Sequence, residues 1–408
     1  MRRTTRELVE VAGRTSSLSY APQPVVLERG EGMWLEDREG ERYLDFMAGI
    51  AVSSLGHAHP ALMEALHGQV DRLLHVSNAF LTEPQVLLQE ALVQASFADR
   101  VFFCNSGAEA NEAGIKLARR YQRIVRGSSR FEVVVFARGF HGRTYGALSA
   151  TAQPKYHRGF EPMVPGFVEA EFNDLESVKG AIGPHTAAIL VEPIQGEGGI
   201  VPPCDGFLAG LRTLCDENGL VLIFDEVQCG MGRTGHLFAY EGFGVEPDIM
   251  SLAKGIGGGV PLGAMLARES VARGFERGSH ATTYGGNPLA AAAGLAVLHV
   301  LQEDGFLERV RDVGAYFRAR AEEAKSRCPG IREVRGLGLM NGIEVDLEAT
   351  AASAVVVAAR RQGLLINTAG GNVLRFVPPL IATRRDVDEA FRRLLKALGD
   401  TETVAGHD

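Results

Sequence analysis

The chain has 408 residues, 46% of them hydrophobic, a formal charge of -8 and a pI near 5.8. This length accommodates two domains with a sizeable core, and the acidic balance lacks the basic footprint of a protein that grips a polyanion, so nucleic acid is not an expected partner. The five cysteines, Cys104, Cys204, Cys215, Cys229 and Cys328, are odd in number and form no C-x-x-C pair, which fits neither a disulfide framework nor a zinc site and points to a reducing cytoplasm.

In chain order, the N-terminus Met1-Arg2-Arg3-Thr4-Thr5-Arg6-Glu7 is basic, but charge continues where a signal peptide needs its apolar stretch, so export is not expected. Residues 1–50 carry Pro22, Pro24, Gly30, Gly32 and Gly40 among short extended pieces and read as an arm and part of a small domain. Residues 51–290 read as the large domain. Within it, from Val101 to Ala267, short apolar runs alternate with helical stretches, the pattern of an α/β unit around a mostly parallel sheet. The Pro288–Leu301 run is too short to span a bilayer and is rich in alanine, as a helix packed closely in a core would be. An amphipathic stretch continues through Ala324. Strand-like segments follow at Ile331–Arg335, Leu339–Val345 and Leu374–Val377, with a helix expected over Arg385–Leu398, so residues 291–408 read as a smaller α+β domain.

In an open α/β sheet the ligand crevice lies at the carboxyl ends of the strands, so chemistry is sought just after each apolar run. Val101–Cys104 runs into Asn105-Ser106-Gly107-Ala108-Glu109, and Val133–Phe136 into Gly139-Phe140-His141-Gly142-Arg143. Ala187–Val191 leads to Glu192 and on to Gln195-Gly196-Glu197, Leu220–Phe224 to Asp225, and Ile249–Ala253 to Lys254.

Ser106-x-x-Glu109 is a capping-box pattern, and Ala110, Ala113, Leu117, Tyr121 and Ile124 continue it at helical spacing until Gly127. The unpaired N–H groups and positive dipole of this helix start, with Gly107 allowing close approach, suit a phosphate; they equally suit an ordinary N-cap. Asp225 ends an apolar run, where a carboxylate needs a partner. A protonated pyridine nitrogen would serve, and so would the cap of the next turn. Lys254 lies between an apolar run and Gly255-Ile256-Gly257-Gly258-Gly259, where desolvation would lower its pKa and favour Schiff-base chemistry; the alternative is a solvated lysine. Its glycines follow it, the reverse of a P-loop. Gly230-x-Gly232-x-x-Gly235 matches a dinucleotide fingerprint in form, but Gly242 and Gly244 interrupt any helix it could open, so no Rossmann site is expected. His57-Ala58-His59 lacks further ligands at metal spacing, and no metal is expected.

Taken together, these segments resemble the class III (ω-amino) aminotransferases of the type I pyridoxal-phosphate fold over nearly the whole chain. The resemblance is carried by Asn105-Ser106-Gly107-Ala108-Glu109-Ala110-Asn111, Phe140-His141-Gly142-Arg143-Thr144, Val191-Glu192-Pro193-Ile194-Gln195-Gly196-Glu197, Phe224-Asp225-Glu226-Val227-Gln228, Ala253-Lys254-Gly255 and Thr283-Tyr284-Gly285-Gly286-Asn287-Pro288. Gly49-Ile50-Ala51-Val52, Leu55-Gly56-His57-Ala58-His59-Pro60 and His75-Val76-Ser77-Asn78 look more like the acetylornithine aminotransferases than the ornithine or γ-aminobutyrate branches. The resemblance implies pyridoxal phosphate as cofactor. It places Ser106, Gly107 and Ala108 at the phosphate, Phe140 on the ring, Asp225 at the pyridine nitrogen, Gln228 near the ring hydroxyl, and Lys254 as the catalytic residue bonded to the cofactor. It also implies that Thr283 reaches the phosphate of a neighbouring subunit, hence a homodimer with shared sites.

On the substrate side the resemblance implies that Arg143 holds the carboxylate remote from the reacting carbon and that Arg375 pairs with the α-carboxylate of glutamate. Glu197 would neutralise Arg375 when that carboxylate is absent, and Tyr20 would line the substrate entrance. Read without the resemblance, each arginine also fits a surface or interdomain salt bridge. The implied reaction converts N2-acetyl-L-ornithine and 2-oxoglutarate to N-acetyl-L-glutamate 5-semialdehyde and L-glutamate, in cytoplasmic arginine biosynthesis and away from membranes. Rival readings are another ω-aminotransferase, acting on succinylornithine, ornithine, γ-aminobutyrate or N-succinyl-diaminopimelate, an aminomutase of the glutamate-1-semialdehyde type, or a cofactor-binding protein without catalysis.

Overall fold

Seven of the apolar runs assemble into one sheet, in the order Arg100–Cys104, Gly263–Ala267, Ile249–Leu252, Val221–Asp225, Thr186–Val191, Glu132–Phe136, Phe167–Ala170. The structure is a computed structural model and describes residues 3–328, 330–346 and 349–405. Gly263–Ala267 is antiparallel to both its neighbours, and every other adjacent pair is parallel. Arg100–Cys104 and Ile249–Leu252 both oppose that one strand, so they run the same way. The five strands that lead into polar motifs therefore all end on one edge of the sheet, as the sequence implies.

Side chains alternate along a strand, so a run apolar at every position is stable only when both faces are covered. Val134, Phe136, Ile189, Val191, Leu222 and Phe224 enter one core, and the intervening Val133, Val135, Ala188, Leu190, Val221 and Ile223 enter another. Helix Gly107–Arg120 covers the second face with Ala113 and Leu117. Helices Phe207–Asn218 and Pro288–Leu301 contribute to the first. Pro288–Leu301 also packs on helices Pro60–Val70 and Glu83–Gln94. A Cβ added at its Gly294 would lie 2.8 Å from Leu88 Cδ2, so the small residues read in this run do allow close packing.

Two smaller sheets complete the architecture. Leu27–Glu31, Trp34–Asp37 and Arg42–Asp45 form an antiparallel meander that is joined in parallel by Leu364–Leu365 from the far end of the chain. Ile331–Leu337, Met340–Val345, Val373–Phe376 and Asn367–Ala369 form the other, antiparallel throughout. The strands and helix expected here are present with shifted ends, the helix spanning Arg384–Ala405. Helices Pro60–Val70 and Glu83–Gln94 are absent from the sequence reading, and so are two more. Thr5–Thr15 begins at a capping box of Thr4 and Glu7 in a segment read as extended, and Ala349–Arg361 lies between strands. Among the described residues no helix is long and apolar enough to cross a membrane.

Candidate active site

Asp225 follows Ile223 by two residues and so points to the face covered by helix Gly107–Arg120. There its Oδ2 accepts a hydrogen bond from Asn111 Nδ2 at 2.7 Å and lies 2.7 Å from His141 Nδ1, while Oδ1 accepts from Val227 N at 3.0 Å. All three side chains are buried. The sequence reading gives neither Asn111 nor His141 a role, although a polar residue between Ala110 and Ala113 on a buried stripe requires a partner.

Ser106 caps that helix, its Oγ accepting from Glu109 N at 3.3 Å. The reciprocal bond of the expected capping box falls one residue earlier, because the Glu109 carboxylate accepts from Asn105 N at 2.8 Å and from Asn105 Nδ2 at 3.0 Å. The first intrahelical bond runs from Ala110 N to Ser106 O, which leaves the N–H groups of Gly107 and Ala108 at the positive helix end. A Cβ at Gly107 would lie 2.7 Å from Val227 Cγ1, and one at Gly142, whose φ is +137°, would lie 2.6 Å from Ala108 Cβ. Only residues without side chains let these three segments meet.

Between them lies a cavity of about 430 Å³, lined among others by Ser106, Gly107, Ala108, Asn111, Phe140, His141, Arg143, Glu192, Asp225, Gln228 and Lys254. Lys254 opens a 3₁₀ turn with φ +49°, a left-handed conformation that costs a non-glycine residue about 1–3 kcal/mol. Burial pulls its ammonium pKa below the usual value, against the charge of Glu197 and with that of Arg375. A lysine so placed is readily available as a free, nucleophilic amine. Glu192, a further residue without an assigned role in the sequence, accepts from Phe140 N at 2.9 Å and from Gly196 N at 3.0 Å. Burial pushes its carboxyl up to about 7, with the neighbouring His141 charge opposing.

The substrate-side residues come from other segments. Arg375, on strand Val373–Phe376, is 1% exposed; its Nε donates to Asn367 Oδ1 at 3.1 Å, and its Nη1 donates to Glu197 and, at 3.3 Å, to Gln228 Oε1. Burial works to raise the Glu197 pKa, but the charge and hydrogen bond of Arg375 outweigh it and hold the carboxyl below its usual value. Arg143 is exposed, its guanidinium 5.5 Å from the Phe140 ring centroid and 4.1 Å from that of Tyr156. Glu197 and Arg375 thus adjoin the cavity through Gln228. Tyr20, 80% exposed, and Thr283, which borders a separate small recess with His75 and Asn78, do not line it.

The remaining motifs have structural partners. The Gly230–Gly235 loop is tied to the C-terminal sheet by Arg233, whose Nη1 donates to Leu339 O at 3.0 Å and whose carbonyl accepts from Leu339 N at 2.9 Å. His57 Nε2 lies 2.8 Å from Asp45 Oδ2.

Pyridoxal phosphate brings a phosphate, a pyridine nitrogen and an aldehyde, and the cavity has a complement for each. The helix start suits the phosphate, and Lys254 suits the aldehyde. The floor carries surplus acceptors, since Asn111 Oδ1 is buried without a donor beside the Asp225 carboxylate, and a cationic ring nitrogen suits that surplus. Fold and site therefore define a pyridoxal-phosphate-dependent transferase. The sequence model of the family "Aminotransferase class-III" matches residues 15–398, and the chain belongs to that family. It is 51% identical over 382 residues to an acetylornithine aminotransferase of Caldanaerobacter subterraneus, covering 94% of this chain and 96% of that one. It is 52% identical over 377 residues to an acetylornithine aminotransferase of Agrobacterium fabrum, covering 92% and 94%. Among solved structures, an ornithine aminotransferase of Toxoplasma gondii superposes with a TM-score of 0.94 at 34% identity, covering 98% of this chain and 96% of that one. An N-acetylornithine aminotransferase of Stenotrophomonas maltophilia gives 0.84 at 39% identity, covering 97% and 100%. The chain is an aminotransferase, and its cofactor is pyridoxal phosphate.

Proposed function

We propose that the chain transfers the amino group of N2-acetyl-L-ornithine to 2-oxoglutarate, giving N-acetyl-L-glutamate 5-semialdehyde and L-glutamate, as a step of arginine biosynthesis in the cytoplasm. The observation that carries this reading is the contrast between two arginines at one cavity: Arg375 is buried and masked by Glu197, whereas Arg143 is exposed and stacked on rings. A substrate whose only carboxylate is remote from its reacting amine needs one free cation and no second unpaired one. Glutamate needs both. Backbone superposition alone does not choose the substrate, since the ornithine aminotransferase superposes at least as well as the N-acetylornithine enzyme. The arginines fit any amine remote from its carboxylate, ornithine and γ-aminobutyrate included, and the choice among them rests on relatives at 51% and 52% identity.

In this reading Ser106, Gly107 and Ala108 hold the phosphate, Phe140 packs on the ring, Gln228 sits by the ring hydroxyl, and Asp225, steadied by Asn111 and His141, holds the ring nitrogen protonated. When bound, pyridoxal phosphate supplies an electron sink for the pair left on the substrate carbon as a proton departs. Lys254 carries the cofactor and moves that proton as general base and then acid, for which a lowered pKa suits it. Arg143 orients the remote carboxylate in both half-reactions. Glu197 swings from Arg375 when the α-carboxylate of glutamate arrives and forms the bidentate pair.

We assign the cofactor site to a large domain of residues 51–290, and Arg375 to a small domain of residues 291–408 with the N-terminal 1–50. The working unit is a homodimer. Leu81, Phe80 and Tyr284 are 86%, 68% and 61% exposed and lie on two segments joined by Asn78 Nδ2, which donates to Thr282 O and Gly285 O; such apolar side chains suit a second copy, whose phosphate Thr283 would meet. Tyr20 would line the entrance in the same assembly. The test is kcat/KM for N-acetylornithine, succinylornithine, ornithine and γ-aminobutyrate with 2-oxoglutarate. N-acetylornithine should rank first; a tenfold preference for another amine, or turnover without 2-oxoglutarate, would overturn the assignment.

A further inference from the structure

Arg143 reaches the cavity from an exposed loop, where a long side chain ordinarily samples many rotamers. Here its guanidinium lies over Tyr156 at 4.1 Å, with Phe140 at 5.5 Å, and the two rings meet edge-on at 6.0 Å. Tyr156 is itself held in place. It belongs to the short turn Pro154–His157, whose ends are pinned by side-chain hydrogen bonds of the buried Gln153 and the half-buried His157. Gln153 Nε2 donates to the carbonyls of Arg138 and Gly139, just before Phe140, at 3.0 and 3.2 Å, and Tyr156 N donates to Gln153 O at 2.9 Å. His157 Nε2 lies 2.9 Å from Leu148 O and 2.8 Å from Thr151 O. Lys155 Nζ shares the Tyr156 ring at 4.7 Å, so two cations converge on one aromatic face system. The ion pairs found among the described residues give neither of them a carboxylate. A guanidinium held by its flat face keeps its N–H fork free for a planar anion.

We infer that Tyr156 is a positioning residue for substrate binding in both half-reactions, holding the Arg143 fork in line for the remote carboxylate. This rests on the reading of Arg143 given above and adds to it the residue through which that arginine is oriented. Removing the ring leaves the charge but frees the side chain, so binding weakens while the proton-transfer machinery around Lys254 is untouched.

The experiment is a double-mutant cycle on the holoenzyme, made from Tyr156→Leu, Arg143→Gln and both together, with Tyr156→Phe as the conservative variant. Single-turnover half-reactions are followed by the visible absorbance of the cofactor over a range of N-acetylornithine and, separately, glutamate concentrations, and melting temperature checks folding. Tyr156→Leu should raise the half-saturating concentration of both substrates about 3- to 30-fold, with the limiting rate little changed. Tyr156→Phe should restore most of the loss, because the ring face and not the hydroxyl does the holding. In the Arg143→Gln background the Leu substitution should add nothing further. Equal effects of Tyr156→Leu in both backgrounds, or a fall in limiting rate with half-saturation unchanged, would overturn the inference while leaving the role of Arg143 intact. If Arg143→Gln alone left half-saturation unmoved, the reading of Arg143 itself would fail.

Discussion

The floor of the cavity and its substrate edge are built differently. The floor is made of residues at the end of one strand and in the segments that directly follow its neighbours, bonded to one another: Asp225 to Asn111 and His141, and Glu192 to the backbone of Phe140 and Gly196. The edge is assembled from separate segments, Arg143 on a loop against Tyr156, and Arg375 on a strand of another sheet against Glu197. A floor fixed by adjacent strands suits a resident cofactor that serves both half-reactions alike. An edge with one masked and one free cation suits two substrates in turn.

Substitutions should separate the two regions, and the largest effect belongs to the floor. Lys254→Ala should lower turnover about 10⁴-fold in both half-reactions, measured by single-turnover absorbance; unchanged turnover would remove the proposed base. Asp225→Asn should cost about 10²–10³-fold, again equally for both substrates, because the buried carboxyl group proposed to face the ring nitrogen is lost. Glu197→Gln should instead split them. With Arg375 left unpaired and buried, kcat/KM for N-acetylornithine should fall about 10- to 100-fold, whereas that for 2-oxoglutarate, which brings its own carboxylate to Arg375, should change by less than about threefold. Equal losses would place Glu197 with the floor.

The smallest effect lies just beneath the floor. Glu226 accepts from Ala239 N at 2.6 Å and Tyr240 N at 2.8 Å, and burial, against those hydrogen bonds, pushes its carboxyl from the usual 4.5 up to about 8. A folded-state value above the unfolded one gives a contribution to stability that is full below the unfolded value and is lost as pH rises through the folded one. The melting temperature should therefore decline from about pH 5 to about pH 8 and level off above that. Glu226→Gln, which cannot ionise but loses one acceptor, should start lower and decline less, so that the two curves converge.

Much of the floor is legible in the sequence because a parallel sheet writes itself as uninterrupted apolar runs, each with its polar residues immediately after. Lys254, Asp225 and the Ser106–Ala108 turn all follow from that rule, and the structure brings them to one cavity. Strand direction is not written locally. Gly263–Ala267, apolar like its neighbours, runs against them, and the pairing of Arg42–Asp45 with Leu364–Leu365 spans most of the chain. Asn111 and His141 sit inside segments that signal the site, yet their role depends on which face of a helix meets Asp225. Tyr156 carries no motif at all; only proximity to Arg143 reveals it.

The most direct test follows the visible absorption of the purified holoenzyme through addition of N-acetylornithine alone and then of 2-oxoglutarate. The account predicts that the first addition removes the band of the resting cofactor and the second restores it, one half-reaction each. A band that ignores N-acetylornithine but responds to another amine would contradict the assigned substrate, and a protein that cannot take up pyridoxal phosphate would contradict the site itself.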